Sequence, residues 1–186
     1  KVFNTIEGGV LTYSDTALEK KLYLLKNFGI AGPEDIVCVG SNAKMNEVQA
    51  LMGLLNLKYV NDEIAKRERK VRLYKEGLAI PGIRSFDTTL DVRPNFAYFP
   101  ILIDENEYGM DRDQLFALLA DNNIFARKYF YPLISDYACY RDLYRSNVPI
   151  ARKMASEVMT LPLWGDISDF VIEEIVEIVR MGHRHG

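Results

Sequence analysis

Lys1-Val2-Phe3-Asn4-Thr5-Ile6-Glu7-Gly8-Gly9 opens the chain, and Gly40-Ser41-Asn42-Ala43-Lys44-Met45-Asn46-Glu47-Val48-Gln49-Ala50 stands at the head of its longest helical stretch. These two runs carry most of the information about the fold. Gly8-Gly9 is a turn that leads into a short strand, Val10-Leu11-Thr12-Tyr13. Adjacent glycines also let one backbone approach another closely. After the second run, Met45, Val48, Met52, Leu55 and Tyr59 recur at helical spacing. Asn42, a short polar residue ahead of that stripe, suits a helix N-cap. A helix start also favours anions.

Working outward, Ser14-Asp15 offers an N-cap for a helix carrying Leu18, Leu22 and Leu25, and Asn27-Phe28-Gly29 is its stop. Residues 30–43 read as a loop around Gly32-Pro33. The apolar stripe passes into a charged run, Lys66, Arg67, Glu68, Arg69, Lys70, Arg72 and Lys75. This predicts one long helix or two in succession, with a buried first half and a solvated second half. Pro81-Gly82 marks a border. Beyond it, strands are expected over 83–86, 96–103 and 124–131. Pro100 implies an edge strand or a bulge. Helices are expected over 111–121, from Pro149 to Met159, and after a Ser168 cap. That order describes an α+β domain.

The chain has 186 residues, 48% hydrophobic and 26% charged, with a net charge of −3. This is an ordinary globular composition. It carries no basic footprint for nucleic acid and no polybasic membrane patch, and no apolar run long enough to span a bilayer. Cys38 and Cys139 lack the spacing of a zinc site or disulfide framework and suit a reducing cytoplasm. His183 and His185 fall in a terminal stretch expected to fray.

The two opening runs together resemble the DegT/DnrJ/EryC1/StrS family of nucleotide-sugar aminotransferases, from the lysine that binds pyridoxal phosphate onward. Glu7-Gly8-Gly9 follows Lys1 at the family's offset. Gly40, Asn42, Lys44, Met45, Glu47, Gln49 and Ala50 match its Gly-x-Asn-x-Arg/Lys-Met-x-Glu/Asp-x-Gln-Ala motif. Further on, Tyr129-Phe130-Tyr131-Pro132-Leu133 resembles the family's Tyr-Pro-Leu-His segment, with Ile134 in place of the histidine. Thr160-Leu161-Pro162-Leu163 resembles its Leu-Pro-Leu turn.

The resemblance implies an α/β protein of the pyridoxal-phosphate aminotransferase fold type I. Residues 1–80 would be the C-terminal part of the large cofactor domain with a long linking helix, and 81–186 the α+β small domain. The chain would then start in mid-domain. Lys1 is implied as the catalytic, Schiff-base lysine and proton carrier, a role that needs its neutral amine. Asn42 is implied to reach the cofactor phosphate of a neighbouring subunit in a homodimer with a shared active site. Lys44, Tyr129 and Tyr131 are candidate substrate contacts, although strand alternation turns Phe130 away from its two neighbours.

The implied activity is transfer of an amino group from glutamate to a nucleotide-linked 4-keto-6-deoxy sugar, with dTDP-4-keto-6-deoxyglucose aminated at C4 as the most similar case. Two alternatives stand beside it. One is a non-catalytic dimerising fragment. The other is a pyridoxamine-phosphate sugar dehydratase of the same family, whose members carry histidine where this chain carries Lys1.

Overall fold

The computed structural model describes residues 1–87, 91–143 and 147–185, without the side chains of Arg184 and His185. Two compact units are present: Lys1 with Phe3–Val60, and Val2 with Asn61–Gly186. Among the described residues, no helix is long and apolar enough to cross a membrane.

The first unit contains α1 (Leu18–Lys26), a two-stranded antiparallel hairpin of β1 (Ile30–Gly32) and β2 (Asp35–Ile36), and the first part of α2 (Glu47–Gly77). Residues 10–13 are not a strand, and 30–43 is more ordered than the expected loop because it contains this hairpin. Ser14-Asp15 does not cap α1. Asp15 accepts from the Ala17 amide at 2.9 Å, and Ala17, the residue before the helix, makes no side-chain cap. The stop at Asn27-Phe28-Gly29 holds: Phe28 and Gly29 adopt φ of 58° and 77°, and the chain reverses there.

α2 is one helix, but its burial is the reverse of the expectation. Val48, Leu51, Leu54, Leu57 and Tyr59 are all exposed. The charged half is the buried one, with Arg67 at 9% and Lys70 at 5% exposure, beside Val71 and Tyr74. Arg67 donates Nε to Glu63 at 2.7 Å and points Nη1 at the carbonyls of Phe96, Ala97 and Leu163. Arg69 and Lys70 both pair with Asp169. Arg67 and Lys70 are therefore internal connectors, while Lys66, Glu68, Arg69 and Arg72 remain exposed as the expected solvated face.

The second unit holds a three-stranded antiparallel sheet in the order β3 (Ile83–Ser85), β4 (Phe99–Ile103), β5 (Val158–Leu161). β4 is central, so the edge position inferred from Pro100 is wrong. Pro100 lies opposite Thr160, whose amide and carbonyl are bonded to Arg127 on the far side of β5. The nitrogen of Pro100 therefore faces the β3 side, one residue past the last pairing, Ser85 with Ile101. The ring removes no ladder bond there.

α3 (Glu105–Tyr108) and α4 (Arg112–Asp121) follow β4, and a single 3-10 turn spans Ile134–Asp136. α4 begins with a capping box between Asp111 and Gln114. α5 (Pro149–Glu157) has proline in its first turn and stops before Val158, whose alternating neighbours become β5. α6 (Asp169–His185) is capped by Ser168 Oγ, which accepts from the Val171 amide at 3.2 Å.

Residues 124–131 are not a strand and pair with β5 only through the Arg127–Thr160 bridge. The core gathers Tyr74, Phe99, Ile101, Leu115, Leu119, Met159, Ile175 and Val179. Tyr74 stacks on Phe99 with centroids 4.9 Å apart. His183 does not fray: its ring stacks on Tyr108, and Nδ1 lies 3.0 Å from the Tyr108 carbonyl oxygen.

Candidate active site

In the first unit, the segment after Lys1 is fastened to α2. The Asn56 side chain donates to the Asn4 carbonyl at 2.8 Å. Thr5 is buried, and a Cβ on Gly53 would stand 2.8 Å from its methyl carbon. The Thr5 carbonyl accepts from Gly8 at 3.1 Å and closes a turn that carries Ile6 at φ 64°. Lys1 itself is exposed and makes no hydrogen bond or ion pair among the described residues.

The two sequence runs meet. A Cβ on Gly8 would collide with Thr5 Oγ1 and stand 2.7 Å from Met45 Cε, so this glycine permits a close approach. Gly9 has open space around it and serves as a plain turn residue.

Asn42 is placed by the end of α1. The amides of Ser41 and Ala43 donate to the Leu25 and Lys26 carbonyls at 2.8 and 2.9 Å. These bonds satisfy carbonyls that a helix end leaves open. Asn42 is not the cap of α2. That role belongs to Asn46, whose Oδ1 accepts from Gln49 N at 2.9 Å. The Asn42 side chain is exposed and unbonded among the described residues, so its amide remains available to a ligand. Lys44 Nζ sits 5.2 Å from the Phe28 ring centroid, a cation–π contact that holds the amine at the surface.

Tyr129 and Tyr131 belong to the second unit. The expected alternation around Phe130 fails. Phe130 stacks on Tyr129 with centroids 3.7 Å apart, because this stretch is not pleated. Tyr129 and Tyr98 share a hydroxyl contact of 3.3 Å, which raises the Tyr129 phenol above its ordinary pKa. Tyr131 lies over the Arg112 guanidinium at 4.7 Å. Sequence reasoning passed over Tyr98 and Arg112. Tyr98 reads as one more strand residue, and Arg112 as the polar first turn of a helix.

With its two motifs joined at Gly8 and Met45, the chain belongs to the DegT/DnrJ/EryC1/StrS aminotransferase family, which it matches over residues 1–180. It is 40% identical over 177 residues to a dTDP-4-amino-4,6-dideoxy-D-glucose transaminase of Escherichia coli, covering 93% of this chain and 47% of that protein. A protein of the same description from Shigella dysenteriae is 38% identical over 182 residues, covering 97% and 49%. Among solved structures, DesI in the presence of its TDP-sugar product superposes with a TM-score of 0.90 at 30% identity, over 100% of this chain and 48% of that one. The chain thus spans about half the length of these relatives.

Proposed function

We propose that this chain is the C-terminal half of a pyridoxal-phosphate aminotransferase that moves an amino group from glutamate to C4 of dTDP-4-keto-6-deoxyglucose. The observation that carries the reading is the 40% identity over 177 residues to a dTDP-4-amino-4,6-dideoxy-D-glucose transaminase. In this reading residues 1–80 complete the large domain and 81–186 form the small one. The free thiols of Cys38 and Cys139 suit a cytoplasmic location.

The residues present fit part of the cofactor. Lys1 offers a primary amine with no competing partner among the described residues, and Asn42 an unbonded side-chain amide. When bound, pyridoxal phosphate supplies an aldehyde for that amine and a pyridine ring that takes up electron density from the substrate carbon. Lys1 would hold the cofactor through its side-chain amine, and the same amine, when free, would carry the proton at the reacting carbon. Asn42 would hold the cofactor's phosphate in the neighbouring subunit's site through its side-chain amide. That assignment makes the enzyme a homodimer with shared sites. Lys44, Tyr129 and Tyr131 are proposed on the substrate side, where two tyrosines present flat faces with a polar tip.

The test supplies the intact protein with glutamate and dTDP-4-keto-6-deoxyglucose, and identifies the product by mass and by the carbon bearing nitrogen. The expected product is the 4-amino-4,6-dideoxy sugar nucleotide. Amination at C3, or reaction only with UDP- or GDP-linked sugars, would overturn the substrate assignment. No amino sugar from any of these would overturn the class.

A further inference from the structure

We infer that Thr5 is a positioning residue for Lys1, a peg seated between Gly53 of α2 and the Gly8 turn that sets where the cofactor-holding amine stands, an inference that rests on the proposed function.

Thr5 is 2% exposed, and its two branches have different seats. The Cγ2 methyl faces Gly53, where an added Cβ would stand 2.8 Å away. Glycine inside a helix is unfavourable, and here its missing side chain makes room for that methyl. Gly53 is buried while Met52 and Leu54 beside it are exposed. Phe3 Cζ lies 4.0 Å from the same Cβ position, and Asn56, three residues on, donates to the Asn4 carbonyl at 2.8 Å. Positions three apart share a helix face, so residues 3, 4 and 5 are each held by one side of α2. On its other branch, Thr5 Oγ1 occupies the space that a Cβ on Gly8 would need.

The segment is not built for stability alone. Thr5 Oγ1 is buried and has no hydrogen-bond partner among the described residues. An unpaired buried hydroxyl is costly. This chain's own atoms enclose it, so it is not offered to a ligand. Its use is its size: an oxygen is smaller than a methyl group, and valine would overpack the Gly8 side. Ile6 follows at φ 64°, a conformation that β-branched residues rarely adopt. Such strain persists where the surroundings over-determine the backbone, and it gathers at functional sites.

Lys1 precedes Phe3 by two planar peptide units, each residue having only two soft torsions. A displacement of residues 3–5 is therefore carried to Lys1. Misplacing a reacting group by a fraction of an ångström is expensive.

The experiment measures the affinity of the intact protein for pyridoxal phosphate and for pyridoxamine phosphate by spectral titration. The two share ring and phosphate, but only the first has an aldehyde that can bond to Lys1. Gly53→Ala places a carbon 2.8 Å from Thr5 Cγ2, and the segment must move by roughly 0.7 Å to regain ordinary carbon contact. Pyridoxal phosphate should then bind about tenfold more weakly. Thr5→Ser leaves the Gly53 seat empty and should weaken it about threefold. The double variant fills the seat with the new Cβ in place of the lost methyl, and should return to within about twofold of wild type, a non-additivity expected only of residues in contact. Pyridoxamine phosphate should bind all three variants as it binds the wild type.

Equal losses for the two cofactors would overturn the inference, since they would make Thr5 a structural contact only. A double variant no better than Gly53→Ala would also overturn it, as would unchanged pyridoxal phosphate affinity in both single variants. Should Gly53→Ala fail to fold, the contrast between the two cofactors in Thr5→Ser decides. Borohydride labelling of the wild type is run in parallel. No label on Lys1 means that the proposed function fails, whereas a label on Lys1 with unmoved affinities means that the peg alone fails.

Discussion

Asn42 and Asn46 belong to one short run, and the structure gives them different tasks. Asn46 caps α2, and Asn42 keeps an unbonded amide. Asn42→Ala should therefore leave the melting temperature nearly unchanged and weaken cofactor affinity, as dialysis against cofactor-free buffer would reveal. Asn46→Ala should do the opposite, lowering stability by about 1 kcal/mol as a lost N-cap does. Gly40 is a third separable case. An added Cβ would stand 2.5 Å from Gly29 N and 2.8 Å from the Phe28 carbonyl carbon, both backbone atoms. Gly40→Ala should cost about 2 kcal/mol, the scale of forced backbone shifts, and appear as a lower melting temperature. The close approach at Gly8 was legible in its adjacent glycines, whereas the proposed roles of Lys1 and Asn42 come from the family resemblance alone. That Asn46 is the cap was not, because both asparagines satisfy the same local rule and only the path of the chain past α1 separates them.

For whole elements, hydrophobic periodicity located α1, α2, α4 and α6 well and misjudged which half of α2 is buried. Periodicity reports that a face is apolar, not what covers it. Arg67 and Lys70 could enter the interior because Glu63, Asp169 and three backbone carbonyls meet them there, and none of those partners is near in sequence except Glu63. Residues 124–131 failed as a strand for a related reason. Their β-forming composition suits a pleat, but only Arg127 finds a pairing partner. Arg67→Leu should cost about 3 kcal/mol, because it leaves Glu63 and the carbonyls without their shared donor.

The Asp169 pair makes a prediction in pH. Its hydrogen bonds to Arg69 and then Lys70 lower the carboxyl pKa to about 2. A depressed folded-state value means that the stabilisation is fully present above the unfolded carboxylate pKa, about 4. It is lost as pH falls toward 2. The stability gap between the wild type and Asp169→Asn, read from denaturant midpoints, should be constant above pH 5 and close between pH 4 and 2. A gap that persists unchanged at pH 2 would contradict this account of the ion pair.

At the scale of the whole molecule, Val48, Leu51, Leu54 and Leu57 present apolar surface on a helix of a chain that spans about half the length of its relatives. On the proposed function such a face would be covered within the whole enzyme, a homodimer in which Asn42 reaches its neighbour's site. Mixing inactive Lys1→Ala and Asn42→Ala proteins should then restore activity, since each mixed dimer contains one site free of both changes. Two proteins that stay inactive after subunit exchange would place Asn42 in its own subunit's site. Lys1 is the residue proposed to hold the cofactor. Borohydride reduction of the purified intact protein, followed by peptide mapping, tests it most directly. A pyridoxyl group on Lys1 is the expected result. A pyridoxyl group on another lysine, or none on a protein that still aminates the sugar, would contradict it.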